Sequence, residues 1–225
     1  MTLPFSVEQF LRVFESYNTA IWPAQIVAYG VGIAAVAFAW HPGPRRGRAV
    51  TVALGAYWIW MGVVYHSLFF AAINPAARVF GGFFVIEGGL LIVAGLRPKC
   101  LTFRCAANTP GFLGAVFIAY AMILYPLIGS MTGHEYPRVP VFGVAPCPTT
   151  IFTLGLLLWA EGGASLYLLP IPVVWSLIGA IAAIELDVPQ DYGLSVAGVA
   201  GPAVILWRRY RSRRDVDVPE SSSRS

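Results

Sequence analysis

Apolar residues gather into seven runs along the chain, at positions 21–40, 50–73, 79–96, 111–130, 149–169, 171–184 and 192–207, each bounded by charge, proline or glycine. Runs near 20 residues match the roughly 30 Å hydrocarbon core of a bilayer at about 1.5 Å rise per residue. The last two are shorter, and by length alone each also suits a re-entrant piece or half of a kinked helix. Upstream, Ser6-Val7-Glu8-Gln9 has the form of a capping box, and Phe5, Phe10, Leu11, Phe14 and Tyr17 recur at spacings that gather on one side of a helix. Three regions follow: an amphipathic interfacial helix over 1–20, a membrane domain over 21–207, and a basic, then serine-rich, disordered tail over 208–225.

Charge settles how the short runs are counted. Of the 225 residues only 12% are charged against 57% hydrophobic, too few to cover the surface of a soluble globule. With the N-terminus outside, 12 of the 15 basic residues fall on cytoplasmic connections: Arg45, Arg46 and Arg48, then Arg97, Lys99 and Arg104, then six arginines after Trp207. Dropping either short run would put the arginines from Arg208 to Arg214 on the wrong face. The expectation is an all-α integral membrane protein, a seven-transmembrane helical bundle, N-out/C-in, in a bacterial inner membrane. Its net charge of +4 is then membrane topology, and nucleic acid is not a partner. The first 20 residues lack the basic and apolar regions of a cleavable signal peptide.

Only His66, Glu87 and Glu161 are strongly ionisable within the runs, where a central charge costs roughly 2.5–3.5 kcal/mol and marks a candidate site. His66 and Glu87 sit about 11–13 Å below the outer ends of the second and third runs, which form an antiparallel hairpin, so they can meet. Glu161 lies about 18 Å deep, and Tyr120 and Tyr125 of the fourth run can hydrogen-bond to these groups. Glu87-Gly88-Gly89 and Glu161-Gly162-Gly163 hint at a parallel repeat, the glycines admitting a helix or ligand beside each carboxylate.

Cys147, in Pro146-Cys147-Pro148, starts the fifth run, where a helix N-terminus favours a thiolate; a structural thiol in a proline turn is the plainer alternative. His134 and Tyr136 share its loop, though no metal-ligand spacing connects them. Lys99 is the single lysine and lies in a loop, which excludes an intramembrane Schiff base, and there is no P-loop, HExxH or Gly-x-Ser-x-Gly.

The stretches Leu3-Pro4-Phe5-Ser6-Val7-Glu8-Gln9-Phe10 through Tyr17-Asn18 and Trp22-Pro23-Ala24-Gln25, with Gly133-His134-Glu135-Tyr136-Pro137 and Pro146-Cys147-Pro148-Thr149-Thr150, resemble a family of uncharacterised bacterial multi-pass membrane proteins, domain of unknown function 6064. The resemblance implies a cell-membrane location and no activity. It draws attention to Asn18 and Gln25, two helical turns apart, and to Cys147. The leading expectation is a small transporter or permease-like protein, not an enzyme, with a proton or cation site at Glu87, Glu161 and His66 and an outer gate at the Cys147 loop. Its partners are the lipid bilayer and a small solute, proton or cation, with no cofactor named. The alternatives are a membrane-embedded metal or redox enzyme and a structural or assembly protein.

Overall fold

The computed structural model describes residues 4–97, 101–161 and 166–216. Lys99, Cys100, Gly162, Gly163 and the serine-rich tail lie outside the described residues. Helix α1 (Val7–Ala20) begins with the expected capping box: the Ser6 hydroxyl accepts from the Gln9 amide at 3.2 Å, and the Gln9 side chain accepts from the Ser6 amide at 2.8 Å. Its buried face is Phe10, Val13, Phe14, Tyr17 and Asn18. The chain then turns by 85° through Ile21–Pro23 into α2 (Ala24–Trp40). Next come α3 (Pro44–Ala72) and α4 (Ala77–Leu96), then α5 (Thr109–Met131), with Asn108 capping its start through the Gly111 amide at 2.9 Å. The last three are α6 (Pro146–Leu158), α7 (Leu166–Glu185) and α8 (Tyr192–Val216).

Small residues set the closest helix contacts. A Cβ on Gly88 would lie 2.7 Å from the Gly55 carbonyl, and one on Gly62 would lie 2.6 Å from that of Gly81. The α3–α4 seam therefore admits no side chain at these positions, the close backbone approach expected of small residues between apolar helices. Gly114 of α5 and Gly155 of α6 repeat the device. Along α3, residues Met61–Phe69 are π-helical, and the Ser67 hydroxyl donates to the Gly62 carbonyl at 2.8 Å.

Large apolar side chains such as Ile33, Phe83, Ile86, Phe112, Ile123, Leu177, Ile184 and Val199 point outward. An apolar exterior of this extent suits lipid. Among the described residues four helices, α3, α4, α5 and α7, are long and apolar enough to cross a bilayer, and a fifth is counted if the bent α1–α2 pair is one broken span. The seven crossings and fixed termini expected from the charge pattern are not supported by helix length and composition. Helix α2 has 17 residues, α6 has 13, and α8 runs on through Arg208, Arg209 and Arg211.

The run expected over 149–169 departs most from its sequence reading. Helix α6 stops at Leu158, and the chain pairs with another segment: Arg104 N–H donates to the Trp159 carbonyl and Glu161 N–H to the Thr102 carbonyl, both at 2.8 Å. Residues 148–160 are buried throughout. A helix enclosed on all sides is apolar on all sides, so its run in the sequence carries no mark of where the helix ends. Arg208 of α8 closes that end by donating to the Leu158 carbonyl at 2.9 Å.

Candidate functional site

The three ionisable residues singled out from the sequence do not form one cluster. Glu161, past the end of α6, pairs with Arg104 at 3.0 Å and accepts from the Thr102 hydroxyl at 2.9 Å, its side chain 37% exposed. It is a surface ion pair rather than a group deep in a span. His66 and Glu87 are fully buried, yet among the described residues both nitrogens of the one and both oxygens of the other lack a hydrogen-bond partner. Phe84, one turn before Glu87, packs between the His66 ring, 4.6 Å away, and Trp58, 4.5 Å away, and no hydrogen bond joins His66 to Glu87. Tyr120 and Tyr125 turn elsewhere.

Their partners lie in the connection between α7 and α8. A single 3-10 turn, Pro189–Asp191, tucks inward beneath α5 and buries both Gln190 and Asp191. Tyr120 donates to the Gln190 carbonyl at 2.8 Å, and the Tyr125 hydroxyl donates to the Asp191 carboxylate. The Cys147 thiol, at the start of α6, and the Trp175 indole of α7 lie close to Asp191. Burial pushes the Asp191 carboxyl up from 3.8 to about 6, against the opposing pull of the tyrosine hydroxyl and the thiol. Cys147 is a free, half-buried thiol in the proline turn that opens α6. Among the described residues no Lys, Arg or His pairs with Asp191.

Asp191 and Cys147 open onto a cavity of about 180 Å³ whose walls include Phe10, Phe14, Tyr65, Phe70 and Trp175. Their rings are interlocked: Tyr65 stacks on Phe14 at 5.2 Å and on Phe70 at 5.6 Å, and Phe10 meets Phe14 edge-on at 5.0 Å. The His66 ring lies behind this wall, 5.1 Å from both Tyr65 and Trp175. Among the described residues no three His, Cys, Asp or Glu side chains are grouped to hold a metal ion.

The model of DUF6064, a family of unknown function, matches residues 7–216. The chain belongs to DUF6064. No curated protein and no solved structure matches it at a significant level.

The remaining candidates of this DUF6064 chain lock the loop before α6 onto α1. Asn18 donates to the carbonyls of Pro137 and Val139 at 2.7 and 2.8 Å, Gln25 donates to the Asn18 carbonyl at 2.8 Å, and Tyr136 donates to the same carbonyl at 3.3 Å. Tyr17 adds a bond to the Val144 carbonyl at 2.7 Å, and Arg138 meets Glu8 at 2.6 Å. The two amides thus position the α1 face that walls the cavity. His134 pairs locally with the Thr132 hydroxyl at 3.2 Å. Asp191, Tyr65 and Trp175 are the site residues that the sequence reading did not single out. Asp191 is one of three carboxylates in a short connection, and only the tertiary contact with Tyr125 and Cys147 distinguishes it from Glu185 and Asp187.

Proposed function

We propose that this DUF6064 protein is a small permease-like membrane protein that takes a solute at a protonatable carboxylate, Asp191, through the aromatic cavity beneath α1. One observation carries the reading: a buried carboxylate without a basic partner faces a cavity. An ionised carboxylate in such a place is costly unless a cation or a proton joins it. His66, behind the cavity wall, and Glu87, one turn beyond Phe84, are buried without a hydrogen-bond partner among the described residues and supply further protonatable positions. Glu161 has no part in this path. In this reading the shorter helices α2, α6 and α8 complete seven crossings of a bacterial inner membrane. The N-terminus lies outside and the arginine clusters inside, supported by the distribution of basic residues.

The test is solute-driven proton movement. Proteoliposomes of the full chain, loaded with a pH-sensitive dye, are challenged with a panel of amines, inorganic cations and neutral solutes. At least one solute is expected to change the internal pH, and Asp191→Asn to abolish the change. A wild-type protein that answers none of the panel contradicts the reading.

A further inference from the structure

The cavity at Asp191 does not end at its aromatic wall. Phe80, Trp175 and Ile178 also line a second cavity of about 240 Å³ between α4 and α7, completed by side chains such as Phe83, Ile171 and Val174. Not one of the eight residues around it carries a charge. A carboxylate without a counter-ion at one end, aromatic faces around it and an apolar groove beyond place three demands on an occupant.

The ionised carboxylate calls for a cation, because the Tyr125 hydroxyl donates to Asp191 and, among the described residues, no basic side chain pairs with it. A bare metal ion is less suited, since among the described residues Cys147 and Asp191 are the His, Cys, Asp or Glu side chains on the cavity wall and no third one joins them. Aromatic faces attract a diffuse organic cation through their quadrupoles, and best when both are withdrawn from water. The adjoining groove adds apolar surface for a second part of the same molecule.

We propose that the solute is a small organic ammonium ion with an apolar arm, its head held against Asp191 among Tyr65, Phe70 and Trp175 and its arm laid in the groove between α4 and α7. This rests on Asp191 being the solute site and adds the class of molecule it takes.

Binding to the full chain in lipid nanodiscs is measured by calorimetry with benzyltrimethylammonium and with the neutral N-benzylacetamide. The ammonium is expected to bind at least tenfold tighter. Asp191→Asn removes that preference, while Asp191→Glu, which restores the charge, retains most of it and shows that the loss is not one of folding. Val174→Trp, filling the groove, weakens benzyltrimethylammonium several-fold and leaves tetramethylammonium unchanged. Equal affinity for the charged and neutral probes, no measurable binding of the ammonium, or an unaltered preference in Asp191→Asn overturns the proposal. Ammonium binding without solute-driven proton movement removes only the permease reading, and proton movement driven by another solute without ammonium binding removes only this inference.

Discussion

Replacing Asp191 by asparagine isolates the energetic consequence of burying a carboxylate without a basic partner. The fold raises its carboxyl from 3.8 to about 6, so the native state favours the protonated form. At about 1.4 kcal/mol per pH unit this amounts to about 3 kcal/mol. The sign follows from linkage. The contribution is fully present below pH 3.8 and is lost as pH rises through about 6, where the buried group must ionise. Tyr125 donates to the carboxylate, Tyr120 bonds the adjoining Gln190 carbonyl, Cys147 and Tyr65 line the same cavity, and among the described residues no Lys, Arg or His pairs with Asp191, so no facing charge cancels the effect. Asparagine keeps the shape of the neutral acid. Wild type and Asp191→Asn are therefore expected to have similar stability at pH 4, and the variant to be more stable at pH 8 by about 3 kcal/mol, roughly 6–12 °C in apparent Tm. Thermal unfolding in detergent, followed by tryptophan fluorescence at several pH values, measures the difference directly. Titrations of other groups drop out of the comparison because both proteins share them. Stability curves that run parallel from pH 4 to pH 8 refute the reasoning.

Asn18→Ala leaves the carbonyls of Pro137 and Val139 without their donor, and a loss of about 2–4 kcal/mol is expected, read as a lower Tm with faster proteolysis in the loop before α6. Gly88→Leu drives a side chain into the Gly55 carbonyl and is expected to abolish monodisperse protein on size exclusion, whereas Gly89→Ala, which faces open space, behaves as wild type. Glu161→Gln breaks a half-exposed ion pair with Arg104, so stability should change by less than about 1 kcal/mol and ammonium binding not at all; a tenfold loss of binding would return Glu161 to the site. The Cys147 thiol, half-buried in the proline turn, should react with maleimide at pH 7.5 more than tenfold slower than a free cysteine, and labelling at the free rate would show that packing does not shield it.

Hydrophobic run length located the helices because lipid-facing and core-facing residues are both apolar in a membrane protein. The runs at 21–40, 79–96 and 111–130 coincide with helices to within three residues at each end, α3 and α7 begin a turn or more before their runs, α8 continues past its run to Val216, and the capping box at Ser6 stands where its residues place it. The fifth run misled because α6 is enclosed by its neighbours. Leu158 and the residues that follow it are equally apolar, and only pairing with the segment around Phe103 shows where the helix stops. That one boundary carries Glu161 from the interior to a surface ion pair. His66 and Glu87 were legible as buried, since run length gives depth, but the lack of a hydrogen bond between them depends on rotamers and helix rotation. Tyr125 and Cys147 were legible as candidates; the group that joins them, Asp191, was not, because a carboxylate beside a proline in a short connection reads as solvated until the turn is seen folding inward.

The most direct test of Asp191 as the functional group is the pH dependence of benzyltrimethylammonium affinity in nanodiscs. A cation that binds the ionised carboxylate has a dissociation constant that is flat above about pH 6 and rises toward tenfold per unit below it, with no such dependence in Asp191→Asn. An affinity independent of pH in the wild type, or the same profile in both proteins, contradicts the account.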